Sequence, residues 1–78
     1  MRPDDVREML RKQPFEPFII RVVDDMEYEI RHPEQALVGI ATVDFDLSTT
    51  RDPRGRGHAH IILSLRMIIS LEPSEYLD

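Results

Sequence analysis

Val6, Met9 and Leu10 recur at i, i+3 and i+4 in a segment whose other positions are mostly charged, the spacing of one face of an α-helix. Pro3 suits the first turn, Asp4 and Asp5 the positive end of the peptide dipole, and Arg11 and Lys12 its negative end. The pattern predicts a helix over residues 3–13, stopped by Pro14. So short a helix with a single apolar stripe needs another element to lie on. In Pro14-Phe15-Glu16-Pro17-Phe18 two prolines impose an extended connector, and both phenylalanine rings are expected to be mostly buried as anchors for the helix.

From Phe18 the period becomes two. Phe18, Ile20 and Val22 share one face and Ile19, Arg21 and Val23 the other, which predicts a strand over 17–24. Asp24-Asp25 makes a tight turn, and Met26 to Arg31 alternates apolar and charged as a strand over 26–31 with one wet face. His32-Pro33 must leave the ladder, and Pro33-Glu34-Gln35 reads as a corner. Leu37, Gly39, Ala41, Val43, Phe45 and Leu47 then share a phase, which predicts one long third strand over 36–49, bent or bulged at Gly39. After a loop, 58–64 returns with Ala59, Ile61 and Leu63 inward and His58 and His60 outward. A single turn at Ser64-Leu65-Arg66 leads to a fifth strand over 67–72 with Ile69 and Leu71 inward. The acidic tail, 73–78, is expected to fray.

One helix followed by five short antiparallel strands in meander order predicts an α+β, mainly β, fold: a small SH3-like or Sm-like barrel, or a strongly bent sheet with the helix across one face. A chain of 78 residues is read as one domain, 1–78, with a small core and a modest stability margin, which favours a homo-oligomer. The third strand carries apolar residues in both phases, Val38 and Ile40 as well as Leu37 and Ala41, and the outer set wants a cover.

Charge serves to exclude function classes. Six basic and nine acidic side chains lie up to Gly39 and four and six beyond it, so neither half is the basic body of a dedicated nucleic-acid binder. There is no cysteine to form disulfides or thiolate metal sites. The start MRPDDVREML lacks the basic and apolar regions of a signal peptide, and no apolar run approaches the roughly 20 residues of a membrane span. The expectation is a cytoplasmic chain without membrane contact.

The run Leu10-Arg11-Lys12-Gln13-Pro14-Phe15-Glu16-Pro17-Phe18, the acid-containing turn at Asp24-Asp25 and the His32-Pro33-Glu34 corner resemble a group of short bacterial proteins with no established activity, over residues 6–38. More distantly, Leu65-Arg66-Met67-Ile68-Ile69-Ser70 is similar to the second motif of Sm-like proteins, whose five-stranded barrels form rings through the edges of strands four and five and bind single-stranded RNA. The resemblance implies an RNA-facing role for Arg66. Met67 departs from the histidine of the bacterial RNA chaperones of that family, and Asp24-Asp25-Met26 lacks the glycine of their first motif.

Candidate chemistry concentrates in Arg51-Asp52-Pro53-Arg54-Gly55-Arg56-Gly57-His58-Ala59-His60, with three of the ten basic side chains and two of the three histidines. Turn chemistry with a solvated tip and outward strand histidines accounts for every residue of it. A nucleic-acid reading makes Arg51, Arg54 and Arg56, with Arg66, phosphate contacts, but the loop offers no aromatic stacking platform. A metal reading joins His58 and His60, which share a face, to Asp46: a symmetric hairpin places Asp46 opposite His60 and Ser48 opposite His58, with Asp44 nearby. Glu27 and Glu29, two apart on a wet face, read as solubility rather than as an acid–base pair. No nucleophile elbow or phosphate-cradling glycine run is present, so neither catalysis nor a cofactor is expected. The reading that follows is a non-catalytic interaction or self-assembly module acting on its own copies or an unidentified protein partner.

Overall fold

The computed structural model describes residues 1–48 and 58–74. The helix forms where the stripe predicts it, α1 (Pro3–Arg11), and the Asp5 carboxylate accepts a hydrogen bond from the Arg2 N–H at 3.3 Å. Val6 is fully buried, with Met9 and Leu10 packed against the same core. Phe18 is buried as expected. Phe15 is only half-buried and meets Phe18 edge-on, with ring centroids 6.2 Å apart.

Six strands follow among the described residues: β1 (Phe18–Val22), β2 (Glu27–Ile30), β3 (Ala36–Val38), β4 (Thr42–Ser48), β5 (His58–Ser64) and β6 (Ile68–Pro73). They form two three-stranded antiparallel sheets, ordered β2-β1-β6 and β3-β4-β5. The fold is thus mainly β with one helix, as predicted. It differs from the predicted barrel in having six strands and no ladder that closes one sheet onto the other among the described residues.

The sixth strand arises from the predicted long third strand, which reverses at Gly39-Ile40-Ala41 and pairs with itself. The Gly39 N–H donates to the Thr42 carbonyl at 2.8 Å, closing the hairpin. Reversal inverts the phase upstream of the turn. Ala36 and Val38 pack against the core opposite Phe45 and Val43, while Leu37, predicted inward, is exposed. Alternation alone cannot register a two-residue reversal, because a strand and a tight hairpin of strands share the same period.

A second shift lies in β6. Its pairing with β1 steps from Arg21↔Ser70 to Val22↔Ile68, so Ile69 is the extra residue of a β-bulge. Ile68 is buried and Ile69 is exposed, the reverse of the predicted facing, while Leu71 packs on the core as expected. Ser74, within the segment predicted to fray, is anchored. The Ser74 N–H donates to the Pro17 carbonyl at 3.0 Å, and its hydroxyl donates to Glu29. Residues 75–78 lie outside the described chain.

The buried core is Val6, Phe18, Ile20, Val22, Ile30, Val43, Phe45, Leu65 and Ile68, drawn from the helix, both sheets and the turn before β6. Tyr28 of one sheet meets Phe45 of the other edge-on, centroids 5.2 Å apart. Among the described residues no helix is long and apolar enough to cross a membrane.

Candidate functional site

The two sheets turn chemically different outer faces to solvent. On β2-β1-β6, Arg21 is ion-paired to Glu27 across one ladder at 2.7 Å and to Glu72 at 3.5 Å, and Arg31 to Glu29 at 3.0 Å. Glu27 and Glu29, read from sequence as a solvated face, are thus members of a charge lattice. Glu29 is held below the usual carboxylate range, first by the Ser74 hydroxyl and then by Arg31, against the opposing effect of partial burial. Sequence reasoning missed Ser74, because nothing in the local pattern of a C-terminal tail announces a partner in β2.

On β3-β4-β5 the outer row runs Leu37↔Asp44↔Ile62. Leu37 is 73% exposed and Ile62 65%, and Ile40, in the turn between β3 and β4, is 92% exposed. Directly paired residues share a face, so two large apolar side chains flank one half-buried carboxylate on an uncovered sheet. The sequence predicted outward apolar residues in this stretch but placed Val38 among them. Val38 packs on the core and Leu37 takes its place outside.

The predicted hairpin register is present: Asp46 lies opposite His60 and Ser48 opposite His58. His60 Nδ1 and Asp46 Oδ1 are 2.8 Å apart, with both side chains largely exposed. Asp44 sits two pairs further along, opposite Ile62. Among the described residues no group of three or more histidines, cysteines and carboxylates is clustered as metal ligands. The His58 side chain lies outside what is described, so the third member of the predicted set is not placed. Arg51, Arg54 and Arg56 also lie outside the described residues. Arg66 is exposed in the single turn Leu65–Met67, where its backbone N–H donates to Ser64 Oγ at 3.3 Å.

The predicted corner at Pro33-Glu34-Gln35 gains a structural role through Gln35. Its Oε1 accepts from the N–H groups of Arg31 and His32 at 2.9 and 3.3 Å. Its Nε2 donates to the carbonyls of Asp46 and Glu29 at 2.8 and 3.3 Å. One primary amide therefore spans the two sheets, serving backbone groups of β2 on one side and of β4 on the other.

No protein-family model matches the chain, and no curated protein and no solved structure matches it either. The functional reading rests on the chain's own residues.

Proposed function

We propose that this chain is a small, non-catalytic, cytoplasmic interaction module that associates with copies of itself or with a protein partner through the β3-β4-β5 sheet. The observation that carries this reading is the contrast between the two outer faces. One is laced by ion pairs among Arg21, Glu27, Glu29, Arg31 and Glu72, with Ile69 exposed at its bulge, while the other leaves both Leu37 and Ile62 in water beside Asp44. Leu37 and Ile62 lie in one row of that face, two strands apart, and apolar side chains grouped on one face, unlike scattered single ones, mark surfaces that become covered. A core that holds nine buried residues among the described ones also benefits from any apolar area added by association.

Light scattering after size exclusion at tens of micromolar is the direct test. The expected result is a mass above the 9.1 kDa of one chain, falling on dilution. A 9.1 kDa species at every concentration, with a cooperative melt, refutes self-association.

A second reading, a divalent-metal site, draws on the Asp46–His60 contact. That contact is already a complete hydrogen bond between two exposed groups, and a cross-strand pair needs no ion. Calorimetric titration with zinc at neutral pH is expected to give no stoichiometric binding. Binding tighter than about micromolar, abolished by His58→Thr with His60→Thr, would reverse the order of the two readings. The Sm-like, RNA-binding alternative draws on Arg66 and on the resemblance of residues 65–70. Loss of single-strand binding in Arg66→Ala would be its signature.

A further inference from the structure

We propose that the free edge of β5 pairs with the same edge of a second copy, antiparallel about a two-fold axis at Ile61, joining two three-stranded sheets into one of six strands. This rests on the self-association reading above and names the surface and register that carry it.

The direction of the backbone groups comes from one hydrogen bond. The Leu65 N–H donates to the Ala41 carbonyl at 2.9 Å, which continues the β4–β5 ladder one rung past Thr42↔Ser64. Bonded and non-bonded rungs alternate in an antiparallel ladder. Val43↔Leu63 and Phe45↔Ile61 are therefore bonded rungs, and Thr42↔Ser64, Asp44↔Ile62 and Asp46↔His60 are not. The N–H and C=O groups of His60, Ile62 and Ser64 consequently point away from β4. Among the described residues β5 has a ladder on one side only.

The other three edges carry the devices that discourage strand addition, which are shortness, charge, bulges and proline. β3 is three residues long, and β2 carries Glu27 and Glu29 with Arg31 just beyond. β6 is interrupted by the bulge at Ile69 and ends in Glu72-Pro73. By contrast β5 runs seven residues in unbroken register, with no Lys, Arg, Asp, Glu, Pro or Gly.

Its own register is self-complementary. A two-fold at Ile61 sets His60 opposite Ile62 of the second copy and Ser64 opposite His58 of the second copy, so outward-pointing groups meet outward-pointing groups along the whole strand. In a chain of net charge −5, this approach places no two carboxylates directly opposite across the new ladder. It also gives the exposed Ile62 a neighbour on its open side.

Amide hydrogen exchange on the full chain, at low and high concentration, tests the register directly. The expected result is a two-copy mass at high concentration, with the amides of His60, Ile62 and Ser64 slowed by about tenfold or more relative to the dilute sample. Ile62→Lys, which installs a guard charge on the edge, should return the protein to a folded monomer. Ile62→Thr keeps the backbone pairing and should remain associated. Leu37→Lys, on the same face but at the far strand, should also remain associated. A two-copy species whose β5 amides exchange at the dilute rate, and which Leu37→Lys dissociates, overturns the edge proposal while leaving self-association intact. A closed ring of more than two copies would pair β5 with a different edge and overturns the two-fold register. A monomer throughout removes both.

Discussion

Glu29 shows how a single side chain acquires a role from residues distant in sequence. Its carboxylate is stabilised by the Ser74 hydroxyl and by Arg31, so its pKa in the folded chain lies below the ordinary value expected when unfolded. A depressed carboxylate contributes stability above the unfolded pKa and loses it as pH falls through the folded one. Ser74→Ala should raise the Glu29 pKa toward its ordinary value, read by carboxyl-carbon NMR titration. The stability difference from the parent should be present at neutral pH and shrink as the solution is acidified below about pH 4. Unchanged titration of Glu29 would contradict the contact. Phe18 is the opposite case, a residue whose part is legible from its own neighbours: fully buried, it anchors the helix connector to β1. Phe18→Ala should destabilise by about 3–5 kcal/mol in denaturant unfolding, and a loss under about 1 kcal/mol would place the ring at the surface.

At the scale of elements, the helix and the alternating parts of β1, β2 and β5 were legible because each obeys one uninterrupted period. The two errors of facing both lie where that period is broken without a proline or a polar cluster to mark it. The reversal at Gly39-Ile40-Ala41 splits the predicted long strand in two and sends Leu37 outward. The bulge at Ile69 exchanges the inward and outward isoleucines of β6. The bulge has a direct mutational signature. Ile68→Ala, at a position 7% exposed, should cost about 2–5 kcal/mol. Ile69→Ala, at 60% exposure, should change stability by no more than about 0.5 kcal/mol. Equal effects would mean that the bulge is misplaced.

For the whole molecule, the Gln35 amide is a polar clip between sheets that also meet through apolar contacts such as Tyr28 against Phe45. Gln35→Ala strips partners from backbone groups of both β2 and β4 and should lower stability by about 1–3 kcal/mol. Hydrogen exchange should accelerate at the Arg31 and His32 amides, which donate to its side-chain oxygen, ahead of the β4–β5 ladder. If the Arg31 and His32 amides keep their exchange rates in the variant, Gln35 is dispensable as a clip. The predicted corner at Pro33-Glu34-Gln35 was legible from proline chemistry, but its bridging was not. An amide's partners eleven residues away depend on where two separate sheets come to rest.

What the sequence determined alone is what depends on local repetition. The amphipathic stripe of α1, the inward set Phe18, Ile20 and Val22, and the Asp46–His60 opposition across a symmetric hairpin all follow from side-chain periods and from counting residues about a turn. Long-range packing sets the fold-back of β3 on β4, the outward bulge at Ile69, the capping of Glu29 by Ser74 and the joining of the sheets by Gln35. Each of these depends on a small free-energy difference between registers with the same local pattern. That difference is settled by which arrangement brings Val43, Phe45 and Ile68 into one core while leaving backbone groups paired.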